Sequence, residues 1–261
     1  MKVYEFGSPT APALLLLPGT CCHWKGNFGH VIPLLEGDFR VLCVSYDGFD
    51  ETERTGFPAM EEETGKIEAW IQTHCGGHIR GAYGCSLGGL LCGTDGSPGE
   101  DHHGLWHPGE LRPGPGVPLA AKLQTSLLLP LIYPVIRDGQ FKSRLLQKKL
   151  ARRRAEMGPY VEAFLRMMGG ARPYITQQSC KNQFYSDLVT PLPGHIDVPG
   201  TEIHIFYALK MGAKYRERYL RHFAHPVIHE QELQHEELLA CDPEQWAALV
   251  KTICSGKKEG S

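Results

Sequence analysis

Ile79-Arg80-Gly81-Ala82-Tyr83-Gly84-Cys85-Ser86-Leu87-Gly88-Gly89-Leu90-Leu91 reads as a short strand, a sharp turn and the start of a helix. Within it, Gly84-Cys85-Ser86-Leu87-Gly88 has the G-x-S-x-G spacing of a nucleophile elbow. A serine on so tight a turn has its hydroxyl pushed clear of the backbone. Glycines at 84 and 88 remove the Cβ atoms that would collide there. The same turn aims the first N–H groups of the following helix at any oxyanion formed beside the serine.

Upstream, Ala13-Leu14-Leu15-Leu16-Leu17 is a continuous apolar run ended by Pro18-Gly19-Thr20, the pattern of a strand buried on both faces that runs into a loop. A second strand is expected over Phe39-Arg40-Val41-Leu42-Cys43-Val44-Ser45-Tyr46, closing on Asp47-Gly48. The stretch from Glu61 to Thr73 carries Ile67, Trp70 and Ile71 at helical spacing. Strands alternating with helices predict an α/β fold whose mostly parallel sheet is covered on both sides.

With these residues in place the chain resembles the α/β-hydrolase family. Leu-Leu-Leu-Leu-Pro-Gly-Thr stands where that family has an apolar strand followed by His-Gly, so Pro18 replaces the histidine. The resemblance implies a doubly wound sheet of the α/β-hydrolase type. It also implies an oxyanion hole made from backbone N–H groups, here those of Thr20 and Leu87. Near the end, Gln234-His235-Glu236-Glu237-Leu238-Leu239 precedes a helix opened by Asp242-Pro243-Glu244. Family members place the catalytic histidine just before their last helix, which makes His235 the expected general base for Ser86. The expected activity is that of a serine hydrolase cleaving a small ester, thioester or amide through an acyl-enzyme on Ser86. The competing expectation is a catalytically impaired binding or interaction protein on the same fold.

No acid of a triad can be assigned. The loop after the strand from Glu202 to Leu209 reads Lys210-Met211-Gly212-Ala213-Lys214-Tyr215-Arg216 and holds no carboxylate before Glu217, which lies in a helix between two arginines. Some family members carry the acid after the preceding strand, where this chain has Arg112 with Glu110 nearby.

The 261 residues, 42% hydrophobic with a formal net charge of −2, suffice for one α/β-hydrolase domain over 1–261, and nothing in the balance calls for nucleic acid. A helical cap is expected as an insertion over 117–190. Within it, Ser126 to Ile136 is apolar but interrupted by Pro130 and Pro134, which argues against a regular membrane-spanning helix. A basic run from Lys142 to Arg154 carries Leu145, Leu146 and Leu150 at helical spacing, expected to pack on the cap. Tyr160, Phe164, Leu165 and Met168 suggest a further cap helix beside the pocket. The expected partner is a small acyl substrate, with no nucleic acid and no integral membrane segment; the oligomeric state is left open. No signal peptide is recognisable, and nine cysteines, an odd number without a C-x-x-C pair, suggest a reducing, cytoplasmic setting.

No cofactor or metal is expected. His222, His225 and His229 would share a helix face, but Pro226 interrupts it. From Gly93 to Gly116 dense glycine and proline leave no helical or strand period where a core strand should lie. A mobile loop replacing that strand is one expectation. The other is a frameshifted stretch, since these residues permit a choice of codons whose +1 frame reads as a helix end, a turn and an apolar strand, placing an aspartate at position 112.

Overall fold

The computed structural model describes residues 1–89, 102–106 by their backbone, 118–168, 170–190 and 193–255. Seven strands among them form one sheet: β1 (Lys2–Phe6), β2 (Ala13–Leu17), β3 (Arg40–Ser45), β4 (Gly81–Gly84), β5 (His102–Trp106), β6 (Thr201–Ala208) and β7 (Val227–Gln231). Their order is β1-β3-β2-β4-β5-β6-β7. Among these strands only β1 runs antiparallel, against β3; the other pairings are parallel.

Side-chain alternation explains why the central strands are apolar at every position. Leu14 and Leu16 of β2 pack with Phe28 of α1 (Trp24–Phe28) and with Trp246 and Val250 of α10 (Pro243–Cys254). Leu15 and Leu17 point the other way, into a cluster holding Ile67 and Ile71 of α3 (Met60–Cys75). A strand with both faces covered has no use for a polar residue on either. The last helix begins where its sequence says it should. Asp242 caps it by accepting the Gln245 N–H at 3.0 Å, and Pro243 fills the first turn, where no N–H is needed.

The path of the chain fixes where a site can form. From β2 the chain moves outward to β3, then crosses back over β2 to β4 and continues toward β5. Adjacent parallel strands whose connections leave in opposite directions open a crevice beyond their carboxyl ends. That crevice lies between the loop after β2, which starts Pro18-Gly19-Thr20, and the turn after β4, which holds Ser86.

Two sequence expectations are corrected here. The stretch from Gly93 to Gly116 does contain a strand: β5 pairs in parallel with β4 and with β6, Gly104 opposite both Ala82 and Ile203. Pairing to neighbours on both sides uses backbone groups and overrides the missing apolar period. The remaining residues of that stretch, Glu110 and Arg112 among them, lie outside the described residues. The second correction concerns Pro130 and Pro134, which sit inside one continuous helix, α4 (Pro118–Asp138). Each removes a single backbone bond, and packing of α4 on α7 (Gln177–Val189) sustains the helix across the gaps. By length and composition alone α4 could cross a membrane, although Ala121, Thr125, Leu129 and Ile136 are buried against the protein.

Between β5 and β6 the chain also forms α5 (Arg144–Met157) and α6 (Pro159–Met167). No residue of α5 is buried, and Leu145, expected to pack, is 78% exposed. Helix α8 (Ala213–His222) follows β6, and α9 (Glu237–Cys241) precedes α10; α2 (Ile32–Leu35) completes the set described. His229 lies in β7 and pairs its Nε2 with Nδ1 of His204 at 2.9 Å, so His222, His225 and His229 share no helix face.

Candidate active site

Ser86 has φ of 53°, in the left-handed region that a side chain enters only under constraint, and residues 87–89 then begin a helix. The constraint is close packing. A Cβ on Gly84 would lie 2.1 Å from the Gly89 nitrogen, and one on Gly88 would lie 2.2 Å from the Leu17 carbonyl oxygen. A larger residue at 84 would force the start of the helix away from the end of β4, and one at 88 would push the elbow off β2.

The loop after β2 is brought against Ser86 so tightly that a Cβ on Gly19 would stand 3.4 Å from the Ser86 Cβ. Hydrogen bonds hold it there. Gly19 N–H donates to Asn27 Oδ1 at 2.8 Å, and Asn27 Nδ2 donates to the Met167 carbonyl at 3.0 Å. Tyr46 hydroxyl donates to the Pro18 carbonyl at 2.9 Å, while Cys21 N–H donates to Gln183 Oε1 at 2.6 Å. The loop is thus tied to β3's end and to the helices above it. Its Cys21 also has a positive φ, 55°, so this loop and the serine turn are both strained backbones held by their surroundings.

A cavity of about 460 Å³ covers this junction. Thr20, Ser86 and His235 all line it, so the structure brings together three of the four residues singled out by sequence. Leu87 buries its side chain in the core, leaving only its backbone to serve the site. His235 lies in the turn before α9, and its carbonyl accepts a hydrogen bond from Tyr160 hydroxyl of α6 at 3.0 Å. Most of the remaining wall is apolar, with Leu128 and Ile132 from α4, Phe164 and Met167 from α6, and Leu188 from α7. Asp187 is an exception, a carboxylate that sequence reading missed because α7 carries no pattern separating it from its polar neighbours.

Glu236 was also missed. Its Oε1 accepts the Ser86 N–H at 3.0 Å and its Oε2 accepts the Tyr83 hydroxyl at 3.0 Å, with the residue itself at φ 57°. It is only 4% exposed, and burial raises its carboxyl above the usual carboxylate range, an effect opposed by the charge of His235. A sequence reader would place a glutamate beside a histidine at a helix start on the surface. Glu217 does lie there, exposed on α8.

The thiols of Cys22 and Cys85 line the cavity with Ser86, and Cys21 lies buried in the same loop as Cys22. Burial raises the pKa of Cys21, Cys22 and Cys85, so all three stay protonated and weakly nucleophilic. His23 beside them is held neutral, its pKa pushed down to about 4 by burial and by the Arg172 guanidinium. Its Nδ1 caps α1 by accepting the Lys25 N–H at 3.3 Å.

No family model and no curated protein matches the sequence. Solved structures do match. A putative α/β hydrolase family protein from Desulfitobacterium hafniense superposes with TM-score 0.73 at 20% identity, covering 97% of this chain and 99% of that one. A lipase-esterase related protein from Clostridium acetobutylicum ATCC 824 gives 0.67 at 15% identity, covering 97% and 98%. The enol-lactonase from Burkholderia xenovorans LB400 gives 0.63 at 16%, covering 97% and 96%. Likeness over nearly the whole of each chain shows that this protein has the α/β-hydrolase fold.

Proposed function

We propose that the protein is a serine hydrolase acting on an ester, thioester or amide, with Ser86 as nucleophile and His235 as general base. The observation that carries this reading is the strained Ser86 turn opening into the same apolar cavity as His235 and Thr20. In the proposed cycle His235 removes the hydroxyl proton as Ser86 Oγ attacks the acyl carbon, and N–H groups of Thr20 and Leu87 stabilise the oxyanion. The bond to the leaving alcohol, thiol or amine then breaks, and His235 returns the proton to it. Water, activated by the same histidine, releases the acid and regenerates the serine. Helices α4 to α7 act as a cap that shields the acyl-enzyme from bulk water.

The neighbours named above include a lipase-esterase related protein and an enol-lactonase, both consistent with carbonyl chemistry at such a site. A fluorophosphonate probe tests the reading. It should label the wild-type chain and leave Ser86→Ala unlabelled; labelling that persists in Ser86→Ala, or none in the folded wild type, defeats it.

A further inference from the structure

A second hollow, of about 410 Å³, adjoins the first between the end of α4, α5 and α6. Met168 lines both. Helix α4 supplies a wall to each in turn: Thr125, Leu128 and Ile132 face the first hollow, and Val135 and Ile136 face the second. Steps of three and four residues keep these side chains on one helix face, and at 1.5 Å rise per residue the run from 125 to 136 extends roughly 16 Å. Helix α6 also contributes to both, giving Phe164 to the first hollow and Leu165 to the second.

The lining of the second hollow is graded. Phe141, Leu150 and Leu165 make its body apolar, whereas Gln140, Gln147 and Arg154 lie toward its exposed side. Arg154 is already paired with Glu162 at 2.8 Å, which leaves the hollow, among the described residues, without a dedicated charge for an ionic ligand. The side chain common to both linings is Met168. Its unbranched chain turns about three bonds and makes few rotamer demands, so it yields to a ligand at small cost. Met168 at present rests its thioether 3.8 Å from the Cys22 thiol.

We propose that the two hollows form one acyl-binding site gated by Met168, and that the substrate is an ester or thioester of a long unbranched acyl chain. The chain runs from Ser86 along the α4 face, past Met168, into the second hollow. Its burial there supplies binding that a short acyl group cannot reach. This inference rests on the serine hydrolase reading above.

The experiment compares p-nitrophenyl butyrate with p-nitrophenyl laurate, taking the ratio of kcat/KM for the two esters within each full-length variant so that losses from impaired folding cancel. Ala151→Trp, which fills the second hollow from α5, should lower the laurate-to-butyrate ratio by roughly tenfold or more. Met168→Ala, which opens the gate, should raise the ratio. A ratio unchanged in both variants overturns the proposal. Failure of the wild type to turn over either ester or to react with fluorophosphonate marks the loss of the serine hydrolase reading itself, and this proposal falls with it.

Discussion

The backbone N–H of Ser86 donates to the buried carboxylate of Glu236 at 3.0 Å, which joins two residues that both hold positive φ angles, 53° and 57°. The serine turn and the histidine turn are therefore connected by one side chain, with His235 as the neighbouring residue in the chain. Truncating Glu236 to alanine would leave the Ser86 N–H and the Tyr83 hydroxyl buried without their acceptor, at about 1–3 kcal/mol each. The change Glu236→Gln keeps an acceptor for Ser86 and removes the cost of a buried charge. Thermal unfolding should show a large loss for Glu236→Ala and a small one for Glu236→Gln. Equal losses would mean that the charge, not the hydrogen bonds, holds the two turns together.

The paired roles proposed for Ser86 and His235 predict non-additive losses. Either alanine substitution should lower turnover of a short p-nitrophenyl ester by about four to six orders of magnitude, and the double variant should be hardly worse than the single ones. Activity of the wild type should fall toward acid, because a protonated imidazole cannot accept the serine proton. Independent, multiplicative losses in the double variant would show that the two residues do not act as a unit.

The elements that sequence made legible were those whose side chains answer to a single periodic demand. Leu14 to Leu17 could only be a strand covered on both faces, and Ile67 and Ile71 could only be the inner side of a helix. The Ser86 elbow was readable because its glycines are a steric requirement at fixed offsets. What stayed hidden depends on contacts between distant segments. Glu236 looks like any surface glutamate until β4 is laid beside the turn before α9. Asp187 becomes a cavity residue only through the way α7 packs on α4. Pro130 and Pro134 were misleading because helix packing outweighed two missing backbone bonds.

Arg172 offers a test of buried charge. It is 4% exposed, and none of its three guanidinium nitrogens has a hydrogen-bond partner among the described residues. Burying an unpaired cation is costly, and even buried ion pairs are often replaced by apolar residues with a neutral or stabilising effect of about 1–4 kcal/mol. Arg172→Met should therefore raise the melting temperature by several degrees, at roughly 2–4 °C per kcal/mol for a chain near this size. A lower melting temperature would show that the guanidinium contributes more to the fold than its desolvation removes.

Glu63 should set part of the pH dependence of stability. It lies in the first turn of α3, is fully buried, and accepts the Asp47 N–H on Oε1 at 2.8 Å, with Lys66 Nζ 4.0 Å from Oε2. Burial, with the charge of Asp47 adding to it, raises its pKa to about 7, against the pull of Lys66 and the N-terminus. Because the folded value lies above the unfolded one, about 4.3, the protonated carboxyl favours the fold at low pH. That contribution is lost as pH rises from the unfolded value through about 7. At higher pH the ionised group costs on the order of 3 kcal/mol. Glu63→Gln keeps the acceptor for Asp47 and cannot ionise, so its stability should decline less than that of the wild type between about pH 5 and about pH 8. Chemical denaturation across that range checks this, and identical slopes for the two proteins would assign the pH dependence to other groups.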